Sequence, residues 1–248
     1  MVDLSANLAQ IRERITAAAI RAGRDPNSIT IVAVTKSRSP EKVLAAWQAG
    51  LGEFGENRVE EAAGKIRQVE SLLNQLPQTG PDGLRPKWHM IGHVQSRKAS
   101  QVVDLFTAVH SVDSLRLAQR LSRLATEAGK SLSVLLEVNV SGEVAKYGFD
   151  LARWPDDPAI WHSFLAQVEE IVLLPGLRVE GLMTVAPVGG PEVARPVFRK
   201  LGQVRAVLVD RFSLAGWQHL SMGMSDDYEA AIEEGATIIR LGRALFGA

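Results

Sequence analysis

Three short stretches hold residue types that could do chemistry together. Lys36 closes the run Ile29 to Lys36, ITIVAVTK, and a lysine amine held in a site is a nucleophile toward a carbonyl carbon. Far along the chain, Ser221-Met222-Gly223-Met224-Ser225-Asp226-Asp227 sets two hydroxyls around a glycine, a pattern able to turn backbone N–H groups and a hydroxyl toward an anion. Soon after, Arg240-Leu241-Gly242-Arg243 puts a glycine where the backbone can approach a ligand closely. Asn57, His89 and the Met183-Thr184 pair complete the set. Plainer readings stand beside these. A lysine snorkelling to water at a strand end has the same setting as Lys36. Ser225 is a natural helix N-cap, and Asp226 and Asp227 suit the positive end of a helix dipole.

The elements that must position these residues follow from the patterning. Five of the eight residues of ITIVAVTK are Ile, Val or Ala, so the run reads as a strand buried on both faces of a parallel sheet. The carboxyl ends of such strands form the working face of α/β folds. Leu4, Leu8, Ile11 and Ile15 mark an opening helix that Gly23 and Pro26 end. After Lys36 the pattern predicts a helix from Ser39-Pro40 to Gly50, a strand over Glu53–Glu56, and a helix opened by Asn57 and running to about Leu76. A Pro- and Gly-rich surface excursion, Pro77 to Pro86, comes next. Strands are then expected at Lys87–Gly92, Leu105–His110, Leu132–Val138, Leu177–Val185, Gln218–Met222 and Thr237–Leu241. Helices between them are expected at Ser96–Val103, Ser114–Gly129, up to about Val172, Val193–Phe212 and Asp226–Glu234. A second excursion holds Trp154-Pro155-Asp156-Asp157-Pro158.

Eight strands alternating with helices over 248 residues predict one domain, residues 1–248, closed as a single (β/α)8 barrel with an extra N-terminal helix. A doubly wound open sheet is the alternative, but it would usually carry a glycine-rich phosphate loop after its first strand, and Thr35-Lys36-Ser37-Arg38 has no glycine. Closure makes the first and last strands neighbours and brings Lys36 beside Arg240, close to a phosphate held at Ser221 and Gly242. A lysine near a fixed phosphate in a barrel mouth fits an aldehyde cofactor bound as an imine.

Composition removes other classes. The 28 basic and 28 acidic residues cancel, which leaves no electrostatic footprint for nucleic acid or an anionic membrane. No apolar run approaches the roughly 18 residues of a membrane helix, and the first twenty residues carry charges at helical spacing instead of a signal-peptide core. A cytoplasmic protein is expected. With no cysteine there is neither a disulfide framework nor a thiolate site. His93, His110, His162 and His219 lack the spacing of a metal pair and read as satisfied or surface side chains. Glu233-Glu234 reads as a solvated helix end.

Lys36 within VAVTK, Gly55-Glu56-Asn57, Trp88-His89-Met90-Ile91-Gly92, Gly181-Leu182-Met183, Ser221 to Asp227 and Ile239-Arg240-Leu241-Gly242 together resemble the pyridoxal phosphate homeostasis proteins, over nearly the whole chain. The resemblance implies the barrel seen as the amino-terminal domain of alanine racemase. It implies a Schiff base between Lys36 and pyridoxal 5'-phosphate, a phosphate cradle of Ser221 with the backbone at Gly242 and Arg243, Arg240 facing the pyridine nitrogen, and Asn57 lining the ring. His89, Met183, Gly223 and Ser225 are placed in the same cofactor-binding set. Lys146 matches a lysine in the loop after the fifth strand, read as an accessory acceptor for the aldehyde. The chain departs from the commoner form at Gly92-His93-Val94-Gln95, where a proline often follows the glycine.

An arginine opposite the ring nitrogen donates and keeps that nitrogen unprotonated, which disfavours carbanion chemistry. Racemases of this fold take a second base, a tyrosine, from a further domain, and neither Tyr147 nor Tyr228 fits that pattern. The expectation is therefore a monomeric, non-catalytic carrier or buffer of pyridoxal phosphate with no catalytic residues, serving apoenzymes or a regulatory protein. A single-domain racemase-like enzyme is the alternative, and a sensor read by a protein partner is a third reading.

Overall fold

Val32 and Ala33 are fully buried in β1 (Thr30–Val34), the five-residue core of the β-branched run. In a computed structural model of the chain, which describes residues 3–75, 85–143, 145–212 and 216–247, β1 pairs with β2 (Glu53–Glu56) on one side and β9 (Ile238–Leu241) on the other. The ladder continues from β2 through β3 (Lys87–Met90) to β4 (Ala108–Val112), then β5 (Leu132–Asn139), β7 (Leu177–Met183) and β8 (His219–Ser221), and returns to β9. Every pairing is parallel, and the β4–β5 pairing closes the ring. The barrel predicted from eight alternating units is the fold observed, with eight ring strands; a two-residue strand, β6 (Phe149–Asp150), adds to the end of β5 outside the ring.

The helices shield the ring: α2 (Pro40–Gln48), α3 (Val59–Asn74), α4 (Ala99–Leu105), α5 (Leu115–Glu127), α6 (Pro158–Val172), α7 (Pro191–Arg211) and α8 (Tyr228–Glu233). In α5 the apolar stripe of Leu117, Ala118, Leu121 and Ala125 is buried, and Ser114 Oγ caps the helix by accepting from Leu117 N–H at 3.3 Å. Burying each leucine of such a stripe contributes roughly 2–3 kcal/mol. The extra helix α1 (Leu4–Arg21) docks on α8 and on a last short helix, α9 (Arg243–Phe246), partly through Asn7 Nδ2, which donates to the Leu245 carbonyl at 3.0 Å. Inside the ring, Val32, Leu135, Met183 and Ile238 form a small apolar cluster separate from the outer core.

Several boundaries differ from the sequence pattern. Strand β4 begins at Ala108 and not at Leu105, because α4 continues through Leu105, and it runs on to Val112, which puts His110 at the strand centre and not at its end. Asn57 does not cap α3, whose N-cap is Arg58, and Ser225 does not cap α8, which starts at Tyr228 after Asp227. Glu233 and Glu234 are no free solvated end: Arg21 and Arg195 pair with Glu233 at 2.7 Å each, and Arg199 with Glu234 at 2.8 Å. The excursion at 77–86 lies, except for Arg85 and Pro86, outside the described residues. Among the described residues no helix is long and apolar enough to cross a membrane.

Candidate functional site

Lys36 stands two residues beyond β1 in a turn, exposed, and among the described residues its side chain has no hydrogen-bond or ion-pair partner. The backbone below it is held from several directions. Thr35 N–H donates to the Gly55 carbonyl at 3.0 Å and Thr35 Oγ1 to Glu56 Oε1 at 2.6 Å. Lys65 of α3 reaches under the turn, donating to the Thr35 carbonyl at 2.6 Å and to Glu56 Oε1 at 2.7 Å. Ser37, with φ of 58°, donates its N–H to Glu61. On the other side, Arg38 Nη2 donates to the Gly247 carbonyl at 2.5 Å and lies over the Phe246 ring. A free amine thus projects from a clamped base, the arrangement a nucleophilic lysine needs.

Arg240 is buried in the barrel below that turn, and Val32 pairs with it across β1 and β9. Its Nη1 donates to the Ser221 carbonyl and to Ser221 Oγ, both at 2.8 Å, and its Nη2 to the Thr184 carbonyl at 3.0 Å. Burial lowers its pKa to about 10, opposed by the nearby charges of Glu137 and Asp227, so it keeps its proton at neutral pH.

The loops after β8 and β9 are tied to one another. Ser225 Oγ accepts from Ala244 N–H at 3.1 Å, Arg243 pairs with Asp226, and Asp227 Oδ1 accepts from Met224 N–H at 2.6 Å. Gly223 has φ of 92°, and a Cβ there would lie 2.6 Å from that of Ala231, so only glycine fits this turn. Among the described residues the N–H groups of Gly242 and Arg243 have no acceptor, which leaves two backbone donors beside Val34 at the ring's edge. Ser221 is different from the cradle residue expected: its hydroxyl is fully buried and turned into the lumen toward Arg240 and His110.

Asn57 Oδ1 and Glu137 Oε2 are buried acceptor atoms without a partner among the described residues. Burial, and then the charge of Asp113, raise the Glu137 pKa to about 7 against the pull of Arg240. Met183 lies in the apolar cluster inside the ring.

His89 is set apart from this group. Its Nε2 is 2.6 Å from Glu53 Oε2, and its Nδ1 is 2.9 Å from His110 Nε2; it lines a cavity at the amino-terminal ends of the strands, together with Thr30, Glu53 and His219. It reaches Ser221 only through His110, whose Nδ1 is 2.9 Å from Ser221 Oγ. Lys146 pairs with Glu143 and donates to the Val185 carbonyl at 3.0 Å, so unlike Lys36 it is engaged.

The structure adds residues that the pattern leaves unremarked or reads as plain. Lys65 has the look of one more surface lysine of an amphipathic helix. Glu137 has a signal, since it is the one acid in the apolar strand LSVLLEV. His110, expected to be a satisfied or surface side chain, is satisfied, yet at the centre of the lumen.

The fold is an eight-stranded parallel α/β barrel that, among the described residues, carries a free lysine after its first strand and open backbone donors after its last. The family described as "Alanine racemase, N-terminal domain" matches residues 6–248. The pyridoxal phosphate homeostasis protein of Escherichia coli (strain K12) is 40% identical over 250 residues, covering 100% of this chain and 97% of the relative. That of Pseudomonas aeruginosa is 42% identical over 251 residues, covering 100% and 96%. The solved structure of PipY from Synechococcus elongatus PCC7942 with PLP bound superposes with a TM-score of 0.78 at 33% identity, covering 99% of this chain and all of that one. An alanine racemase from Clostridium difficile 630 shares the fold at 16% identity and a TM-score of 0.62, over 99% of this chain and 56% of that chain. The chain belongs to the pyridoxal phosphate homeostasis proteins, within the alanine racemase N-terminal-domain family.

Proposed function

We propose that the protein binds pyridoxal 5'-phosphate in the barrel mouth, with Lys36 as its covalent anchor, and serves intracellular vitamin B6 homeostasis as a carrier without catalytic turnover. The observation that carries this is Lys36 itself, a lysine with no partner among the described residues, on a base fixed from both sides. The surroundings fit the group. The free amides of Gly242 and Arg243, beside the turn of Gly223 and Ser225, suit a phosphate, and the orphaned Asn57 Oδ1 is a buried acceptor that would otherwise cost about 1–3 kcal/mol. PipY, with PLP bound, and relatives named for this cofactor support the same assignment.

When bound, pyridoxal phosphate supplies an electrophilic aldehyde and an electron-accepting ring. The side chains around it set how far that chemistry can go. Lys36 presents the amine, the Gly242 and Arg243 amides hold the phosphate, and Met183 and Asn57 border the ring. Arg240, protonated and fixed by Ser221 and Thr184, can donate to a ring nitrogen but cannot accept from it. That leaves the ring a poor electron sink. Neither tyrosine is set as a second base: Tyr228 is buried beneath Arg14, and Tyr147 stacks on His93 at 3.9 Å between ring centres. The reading takes the protein as a cytoplasmic monomer that passes the cofactor to apoenzymes or a regulatory protein.

The test is the visible absorption spectrum of the protein incubated with pyridoxal phosphate, followed by borohydride reduction and peptide mapping. An imine band, lost in Lys36→Ala and mapped to Lys36, is expected. No band with excess cofactor would remove the assignment, and sustained racemisation or transamination of amino acids would replace the carrier by an enzyme.

A further inference from the structure

Glu137 is an acid on the inner wall of the barrel with nothing to hold. Leu135, two residues earlier on β5, belongs to the apolar cluster inside the ring, so alternation along the strand turns Glu137 inward as well. It stands in register with Met183 on β7, which stands in register with Ser221 on β8, near the carboxyl ends of all three strands. Around the ring, β5 is four strands from β1 in either direction, so Glu137 occupies the wall opposite the strand that leads to Lys36. The residue is half-buried and its Oε2 fully so, and among the described residues its carboxyl has no hydrogen-bond or ion-pair partner.

The surrounding charges do not complete it. Arg240 is the cation that acts on Glu137, but its Nη1 is committed to Ser221 and its Nη2 to the Thr184 carbonyl. The other charge facing it is Asp113, just past the end of β4, which repels it and is itself paired with His93 at 3.0 Å. Lys146, in the loop after β5, is engaged by Glu143 and the Val185 carbonyl. Left alone, the carboxyl holds a proton up to about pH 7, because burial and then Asp113 oppose its charge. Once ionised it can only accept, and a carboxylate in such a setting is stabilised by a cationic donor. The ligand group that answers it is an ammonium. The aldehyde form of the cofactor carries none.

We propose that Glu137 gives the mouth a second ligand, the amine counterpart of the cofactor, pyridoxamine 5'-phosphate, by pairing as a carboxylate with its ammonium group. This second ligand rests on the cofactor assignment, since the same Gly242 and Arg243 amides would hold the phosphate of either form. The amine has no carbonyl carbon for Lys36 to attack, so it stays untethered and its aminomethyl group is free to turn to the wall opposite Lys36. Pairing ionises Glu137: the acid O–H bond breaks, the proton leaves to solvent, the ammonium keeps its three hydrogens, and no covalent bond to the ligand forms. Aldehyde binding asks nothing of this acid, which can stay protonated beside the ring. The two forms thus call for opposite protonation states of one side chain, and Glu137 is the residue that sets the preference between them.

The test is calorimetric titration with pyridoxamine 5'-phosphate at about pH 8, where Glu137 is ionised, beside titration with pyridoxal 5'-phosphate read by its absorption band, in the parent and in Glu137→Gln. Glutamine keeps the size and removes the charge. The parent is expected to bind both forms, and the variant to show a ratio of amine to aldehyde affinity lower by at least about tenfold, the worth of one hydrogen bond to a charged group. The parent's advantage over the variant for the amine should also shrink as pH drops below about 7, where Glu137 regains its proton; the comparison cancels the ligand's own titration. Aldehyde binding without amine binding would overturn the second ligand and leave the cofactor assignment in place. Both forms weakened alike in the variant, or neither weakened, would also overturn it. Amine binding that Glu137→Gln weakens, with no aldehyde adduct, would leave the role of Glu137 standing and remove Lys36 as an anchor. Binding of neither form removes both.

Discussion

Lys65 Nζ donates to the carbonyl oxygen of Thr35 at 2.6 Å, one peptide away from Lys36. The same ammonium meets Glu56 Oε1 at 2.7 Å with both side chains buried, and Thr35 Oγ1 is the third member. Burial pushes the Glu56 carboxyl up while Lys65 and Thr35 pull it down. Removing the cation leaves an uncompensated buried acid, which costs about 3–5 kcal/mol. Lys65→Met should lose that much stability in denaturant titrations at neutral pH and recover part of it in the double variant with Glu56→Gln. If the single variant is as stable as the parent, the pair does not hold the turn.

Glu137 predicts an unusual pH dependence. Its pKa is raised from 4.5 to about 7, so between those values the folded protein binds a proton that the unfolded chain has released. Stability from this residue is intact below about pH 4.5 and falls as pH rises through about 7. At 1.36 kcal/mol per pH unit the loss is at most about 3 kcal/mol. Glu137→Gln should therefore equal the parent near pH 4.5 and exceed it at pH 8, read from the urea midpoint at both values. A gain at the acid end instead would reverse the assignment.

The sequence carries the barrel further than it carries the site. Alternating strands and helices are written in local periodicity, and Lys36 follows directly from the strand it ends. The turn at Gly223 is legible too, with φ of 92°, whereas Gly242 has φ of −114° and room for a Cβ at ordinary contact distance. What local pattern cannot reveal is which side chains meet across the lumen. His110 reads as the last residue of its strand, but the strand continues to Val112, and the ring meets Ser221, 111 positions away, across the lumen. Ser221 reads as a phosphate ligand because of its neighbours in sequence, but its inward face is set by ring closure. Lys65 is inseparable from an ordinary helix lysine until α3 is seen to lie over β1 and β2.

Arg240 tests how much of the site depends on a fork instead of a charge. Its two terminal nitrogens reach Ser221 and Thr184 at once, and a lysine ammonium on a single stem cannot reproduce that span. Arg240→Lys should cost about 2–3 kcal/mol, roughly the worth of one charged hydrogen bond lost in burial. It should also weaken pyridoxal phosphate binding, measured by fluorescence titration, more than Arg243→Lys does, since Arg243 faces solvent with Asp226. Equal effects would mean that Arg240 is not part of the mouth.

Gly92 supports Asn57 through absence of a side chain. A Cβ at position 92 would lie 2.3 Å from the Asn57 carbonyl oxygen and 2.8 Å from its Cα, distances that real atoms do not adopt, and both are backbone, so no side-chain rotation can relieve them. The loop after β3 and the residue after β2 must then separate. Overpacking of this kind costs about 1–3 kcal/mol, and here the strain falls on the residue whose buried Oδ1 is unpaired. Gly92→Ala should accordingly show two effects together, a lower urea midpoint and a several-fold weaker affinity for pyridoxal phosphate, with the adduct still mapping to Lys36. Loss of stability with affinity unchanged would show that Asn57 lies beside the mouth without touching what the mouth holds.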